Sequence, residues 1–394
     1  MYFSYIDSPV ILGLLGAALL SVVLLLLYYI FRVLSVVKYR DRSDRERPDK
    51  PDAAYEPASI VIYSQGDAEH LQEMLGTILN QDYPAAYEVI VVNEGESGDV
   101  RDTVSMLRSR YPNLYLTFTP EGVVNLSRKK LALTLGIKAS RYDTVVLTTT
   151  AALIESPMWL RRMMFRFDKD SDTEIVLGYA CVDPEEDDQY GRRRRAFDFV
   201  ADSVRWLAVA IAGKPFRGTE YNLAYRKEVF LRNKGFARSL NLHYGDDDIF
   251  ISEVVNRHNT AVELSEDSIV KIREGNTPRL FTERALRHMF TERFIRRRPR
   301  VLAALASWLQ IVAIACAAVA GVIGWPDLLP AVVGAVIVVL MLIIDIVVWH
   351  KAMLALKSRP LMFSLPWLSV TLPLRVLRRR LVCRLGKQKK YTWD

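Results

Sequence analysis

The run Tyr244-Gly245-Asp246-Asp247-Asp248-Ile249-Phe250 sets three carboxylates side by side ahead of an apolar stretch. Adjacent acids raise one another's pKa by like-charge repulsion, and a carboxylate of raised pKa can serve as a general base. A plainer reading is that the acids cap a helix over 249–256 and favour its dipole. Three in a row exceed what a cap requires. A second stretch, VVLTTTAALIESPMWL from Val145 to Leu160, reads as a buried strand end followed by Thr148, Thr149, Thr150 and two alanines. Strand ends of α/β sheets commonly carry chemistry. This one carries no acid, histidine or cysteine before Glu155, which reads as the start of the helix containing Trp159. A third stretch gathers Arg284, Arg287 and His288, suited to a diphosphate or to lipid head groups.

The surrounding pattern alternates strands and helices. Apolar runs at 58–63, 87–92, 114–118 and 144–147 are separated by segments with helical spacing, such as Leu71, Met74, Leu75, Ile78 and Leu79. Asp67 and Ser127 stand where helix caps belong. Strand–helix alternation implies right-handed parallel crossovers and ligands at the carboxyl ends of the strands. Those ends are Ser64 to Asp67, Asn93 to Glu96, and the loop after Leu147.

The chain of 394 residues is divided in composition. No charge occurs from Ser8 to Phe31, about the length that spans a hydrocarbon core, and basic residues follow it. This predicts an uncleaved helix over 1–37 with its C-terminal end in the cytoplasm. Segments 301–325 and 328–348 are also long and apolar, with basic flanks that belong on the same side. Asp345 lies within the second of these and is read as facing a partner helix, a transport role being the alternative. Pro360, Pro366 and Pro373 are expected to break any long helix in the basic C-terminal segment, which reads as interfacial. The predicted order is therefore a membrane helix at 1–37, a linker at 38–57, a cytoplasmic α/β domain at 58–290, two membrane helices at 291–350 and an interfacial tail at 351–394. Helix 198–211 reads as core, with membrane contact as the alternative. The net charge of +8 is explained by orientation and anionic lipid rather than nucleic acid. The three scattered cysteines imply neither a disulfide framework nor a zinc site.

The segments IVIYSQGDAEHLQEML, NQDYPAAYEVIVVNEGESGD, SRKKLALTLGIKA, FRGTEYNLAYRKEVF and YGDDDIFISE, in this order, resemble a membrane-bound family 2 glycosyltransferase of GT-A fold, with a mostly parallel sheet. The resemblance covers about 58–288. It implies a nucleotide-sugar donor bound by Ser64, Asp67, Asn93 and Glu94, with a basic residue from Arg128, Lys129 and Lys130 nearby. It implies Asp247 as the base of an inverting transfer, with Asp246 beside it at the acceptor site. Gly218, Glu220 and Asn222 fall in the loop that approaches donor and acceptor, where Glu220 is an added acid. Relatives carry Asp-x-Asp after the fourth strand, whose carboxylates hold Mg or Mn against the donor diphosphate. Here Thr149 and Ala151 stand in those places, so the expected ligands are missing. Relatives also carry a Gln-x-x-Arg motif. Here Arg284 replaces the glutamine, Arg287 remains, and both can meet a diphosphate.

Two functions follow as expectations. One is an inverting glycosyltransferase in the inner (cytoplasmic) membrane, using a lipid or glycan acceptor, with atypical or absent metal use. The alternative is an inactive glycosyltransferase-like scaffold with a membrane protein partner. A transporter is disfavoured because three spans leave little for a pore.

Overall fold

The computed structural model describes residues 8–48, 55–95, 98–120, 126–182, 191–273, 278–295 and 300–385. They fall into two compact units, one of 39–190, 209–298 and 380–394, the other of 1–38, 191–208 and 299–379.

The first unit is a mixed α/β domain. Its strands are β1 (Ala58–Ser64), β2 (Tyr87–Asn93), β3 (Leu114–Phe118), β4 (Thr144–Thr149), β5 (Ala152–Leu153), β6 (Ile175–Leu177), β7 (Ala180–Val182), β8 (Leu223–Arg226), β9 (Thr260–Val262) and β10 (Val270–Ile272). Seven form one sheet in the order β3-β2-β1-β4-β8-β6-β9. The β3-β2-β1-β4 half is parallel, as the alternating pattern predicts. β8 runs antiparallel to both β4 and β6. Ile60, Val61, Val89, Val91, Val145 and Val146 are fully buried, as expected of parallel strands covered on both faces. The register pairs Ser64 with Asn93 and Tyr63 with Thr149, so the carboxyl ends of β1, β2 and β4 finish level. That alignment forms the floor of the site. A small sheet, β5-β10-β7, follows the β4 loop.

The expected linker is helical in its first part. Helix Leu34–Arg45 runs past residue 38. Its end is held by Arg166, which donates to Ser43 Oγ at 2.7 Å and pairs with Glu46 at 2.6 Å. Arg162 adds a bond of 2.6 Å to the Glu46 carbonyl. Charge in this stretch therefore marks a docked helix rather than solvated chain. Residues 49–54 lie outside the described part.

Among the described residues three helices are long and apolar enough to cross a membrane, Pro9–Arg45, Leu305–Ile323 and Leu329–Ala355, and the second unit holds the last two and residues 9–38 of the first. Asp345 is fully buried and accepts from Tyr29 Oη, Gln310 Nε2 and Ser369 Oγ, each at 2.7 Å. Four segments thus meet at one carboxylate, which answers a buried acid's need for donors. Pro360 lies in the non-helical stretch before the C-terminal helix, but Pro366 and Pro373 do not break that helix. Helix Leu365–Leu385 is continuous. Pro366 lies in its first turn, where no backbone donor is needed, and Pro373 is carried inside it. Asp198 fastens this helix through Arg375 and Arg379, each at 2.6 Å. Helix 192–211 buries Phe197, whose ring meets Trp349 edge-on at 5.0 Å, so within this unit its apolar face is packed. The basic tail Lys387, Lys389 and Lys390 lies outside the described residues.

Candidate functional site

The level ends of β1 and β2 bring together the four residues expected to hold the donor base. Asp67 caps helix Ala68–Ile78, accepting from His70 N at 3.1 Å. Ser64 Oγ accepts from Gly66 N at 3.3 Å, and the Ser64 carbonyl accepts from Glu94 N at 2.8 Å. Asn93 donates to the Gly95 carbonyl at 2.8 Å, while its side-chain oxygen is buried without a partner among the described residues. Glu94 accepts from the Tyr63 hydroxyl.

Helix Arg128–Ala139 starts at its Ser127 cap and sends the two lysines of its first turn, Lys129 and Lys130, to different tasks. Lys130 turns inward on the face shared with Leu133 and Ile137. Its ammonium donates to the carbonyls of Ser239, Leu242 (3.2 Å) and Tyr244 (2.8 Å), and to Ser239 Oγ at 3.0 Å. Burial lowers this group to about 8. Lys130 therefore gathers the loop that leads into the acid trio.

Lys129 sits between acids. Its Nζ lies 2.7 Å from Asp246 and contacts Glu220, while Arg287 meets the other Glu220 oxygen at 2.8 Å. Burial opposes the charge of Lys129, but Asp246 and Glu220 outweigh it and hold the group above the ordinary lysine range. Burial likewise opposes the charge of Glu220, yet Arg287 and Lys129 hold it well below the carboxylate range. The Arg287 guanidinium lies over the Tyr244 ring at 4.3 Å. Arg284 lies over Tyr221 at 5.5 Å and donates to its hydroxyl at 3.2 Å.

The acid trio divides its labour. Asp248 is the cap: it accepts from Ile249 N at 2.7 Å, takes the Thr291 hydroxyl, and lies 3.5 Å from His288 Nδ1. Burial works against its charge, but His288 and Thr291 keep it below the usual range. Capping is thus satisfied by one acid of three. Asp247 is buried and pushed well above the usual range, first by burial, then by the charges of Asp248, Asp246 and Glu220. Gly245, at φ +112°, turns the chain into the trio, and a Cβ there would stand 2.5 Å from Ile249 Cδ1. Gly218 donates to the Asp247 carbonyl at 2.7 Å and lets the two backbones approach.

The β4 loop closes the same region. Thr148 Oγ1 donates to the Tyr221 carbonyl at 2.9 Å, beside Glu220. Thr150 N donates to the Tyr63 carbonyl at 3.0 Å. Thr149 Oγ1 is buried without a partner among the described residues, and Ala151 offers no side-chain oxygen. Glu155 pairs with Lys271 at 2.8 Å. Among the described residues no group of three or more His, Cys, Asp or Glu could hold a metal ion. This donor set does not fit a divalent cation held by the loop, because a hard dication selects several carboxylate or carbonyl oxygens.

The sequence matches Glycosyl transferase family 21 over residues 18–387. The chain belongs to that family. The resemblance read from the sequence was to family 2; the match is to family 21, which is likewise GT-A-like. This family 21 chain is similar in fold to a mannosyltransferase of Pyrobaculum calidifontis solved with GDP-Man and Mn2+. The two are 20% identical, with a TM-score of 0.51, covering 91% of this chain and 99% of that one. It is also matched by TarS of S. aureus, residues 1–349, at 13% identity and a TM-score of 0.41, covering 84% and 92%. No curated protein matches it.

In this family 21 glycosyltransferase, Lys129, Glu220, Asp246 and Arg287 converge, with Asp247 beside Asp246 in the chain. Asn222 does not join them: its amide is fully buried between Trp159 Nε1, the Tyr179 carbonyl and the Ser268 carbonyl at 2.8–3.1 Å, a scaffold role. Tyr63 and Tyr244 join the expected set, through Glu94 and Arg287. The signal for Lys130 was its spacing to Leu133 and Ile137, which placed a lysine on an otherwise apolar face.

Proposed function

We propose that this membrane-anchored protein transfers a sugar with inversion from a nucleotide-sugar to a lipid or glycan acceptor. The observation that carries the proposal is the environment of Asp247: buried, raised in pKa, and adjoining Asp246, which meets the Lys129 cation. In the proposed reaction Asp247 takes the acceptor hydroxyl proton as the oxygen bonds to the anomeric carbon. The bond from that carbon to the donor phosphate breaks, and the nucleoside diphosphate leaves with the electron pair. Ser64, Asp67, Asn93 and Glu94 hold the nucleotide, and Arg284 and Arg287 face its diphosphate. No step is routed through a metal at the β4 loop.

The basic residues at 32–42 favour an inner-membrane protein whose catalytic unit faces the cytoplasm. Three candidate spans suit single-sugar addition better than export of a growing polymer. A second reading, a binding protein with a protein partner in the membrane, is favoured by one observation: Arg287 is already paired by Glu220. The test is a transfer assay with labelled UDP- and GDP-sugars on membranes holding the protein. Labelled product that disappears in Asp247→Asn supports transfer. No product from any donor, with donor binding also absent, supports the second reading.

A further inference from the structure

The β4 loop carries no carboxylate at Thr149 or Ala151, and a cation and two carboxylates meet nearby from other elements. Glu220 comes from the loop before β8, and Asp246 from the loop before helix Ile249–Val254. Their side chains are 10% and 4% exposed and converge on one Nζ. The second oxygen of Asp246 is buried with no hydrogen-bond partner among the described residues. Glu220 stands next to Tyr221, whose carbonyl takes the Thr148 hydroxyl, so the cluster lies against the end of β4. Lys129 also approaches the ring of Tyr63 at 5.9 Å, at the end of β1.

We propose that the ammonium of Lys129 takes the place of a divalent cation in this site, with Glu220 and Asp246 as the carboxylates that hold it. The inference deepens the proposed function and rests on its reading of the region as the donor site. Two carboxylates around one ammonium reproduce the charge pattern of a carboxylate-bound metal, with the cation attached to the chain. A lysine carries one positive charge where a dication carries two, and Arg287, bridged through Glu220, supplies the second. Glu220 is thus a positioning residue that sets the spacing of two cations. Its place next to Tyr221 sets a carboxylate near the end of β4, where Thr149 and Ala151 carry none. A metal there and an ammonium here would repel each other across a dry site.

The test reads metal binding, independently of any sugar donor. Mn2+ binding to the full-length detergent-purified protein is measured by electron paramagnetic resonance for wild type, Lys129→Ala, Lys129→Arg, and Lys129→Ala with Glu220→Gln. Wild type and Lys129→Arg are expected to bind no stoichiometric Mn2+. Lys129→Ala, which vacates the two carboxylates, is expected to gain one bound Mn2+ per chain at concentrations where wild type binds none, and adding Glu220→Gln to it is expected to abolish the gain. Lys129→Gln carries the same expectation as Lys129→Ala should the alanine variant fail to fold. Stoichiometric Mn2+ on wild type, or no gain in the folded neutral variants, would overturn the proposal. Failure of donor binding alongside a gained Mn2+ site would count against the transferase reading and leave the cation assignment standing.

Discussion

Glu220 joins Lys129 to Arg287: one carboxylate oxygen meets the ammonium and the other meets the guanidinium at 2.8 Å, and all three side chains are no more than 16% exposed. The bridge sets two positive charges on one carboxylate, while Asp246 pairs with Lys129 alone. Removing Glu220 leaves Arg287 without its carboxylate partner and Lys129 with Asp246 only. Breaking one partner of a buried charge network costs about 3–5 kcal/mol. Glu220→Gln is therefore expected to lower the unfolding midpoint in the absence of ligand. A nucleoside diphosphate, which brings the missing negative charge, should restore more of that midpoint than it adds to wild type. Thermal unfolding with and without UDP or GDP checks this; equal ligand shifts in both proteins would show that Glu220 does not face the phosphates.

Asp247→Asn should lower the rate of transfer by about 10²–10⁴-fold, the usual contribution of general base catalysis. Donor affinity should stay near the wild-type value, because no donor contact is assigned to this carboxylate. Retained turnover would remove Asp247 from its proposed role.

Asp247 also links stability to pH. Burial and the neighbouring acids Asp248, Asp246 and Glu220 raise its folded-state value, so the folded chain holds a proton that the unfolded chain releases. Its contribution to stability is present below the ordinary aspartate value and declines as pH rises from there toward the folded value. Asp248 is shifted the opposite way and contributes most above the ordinary value. Unfolding curves across this range should flatten on the high-pH side in Asp247→Asn, and an unchanged profile would contradict the assigned environment.

Lys130 ties the loop 239–244 through three carbonyls. Lys130→Met keeps the apolar stem and loses the donors. The carbonyls left behind should cost about 1–3 kcal/mol and show as faster hydrogen exchange over 239–244. With its value lowered to about 8, the native lysine adds stability as pH rises from about 8 toward the ordinary lysine value, where the unfolded chain still binds the proton. The methionine variant should lack that rise.

In the membrane unit, Asp345→Ala strands Tyr29, Gln310 and Ser369, which all donate to the one carboxylate. Hydrogen bonds between membrane helices contribute about 0.6 kcal/mol each. A drop of about 2 kcal/mol in detergent is expected, and Asp345→Asn should recover part of it.

The parallel half of the sheet was legible in the sequence because its strands are continuous apolar runs closed by small polar residues, as at Ile60 to Ser64. β8, β6 and β9 were not, since runs of three or four residues do not establish a period. The three candidate membrane helices were plain from their length and apolar composition. The C-terminal helix was misread because Pro366 and Pro373 suggested breaks, whereas a proline in a first turn costs little. At the site, Asp246 and Asp247 stood out as acids beyond the need of a cap, and the structure gives the cap to Asp248. The ties of Lys129 to Glu220 and Asp246 span about 90 to 120 positions of chain, a separation on which local spacing is silent.

The most direct measurement is calorimetric titration of the purified protein with UDP- and GDP-sugars, each in Mn2+ and in chelator. The account predicts saturable binding of one donor with the same affinity in both conditions, since Lys129, Arg284 and Arg287 supply the charge. Binding that appears only with Mn2+ would contradict it.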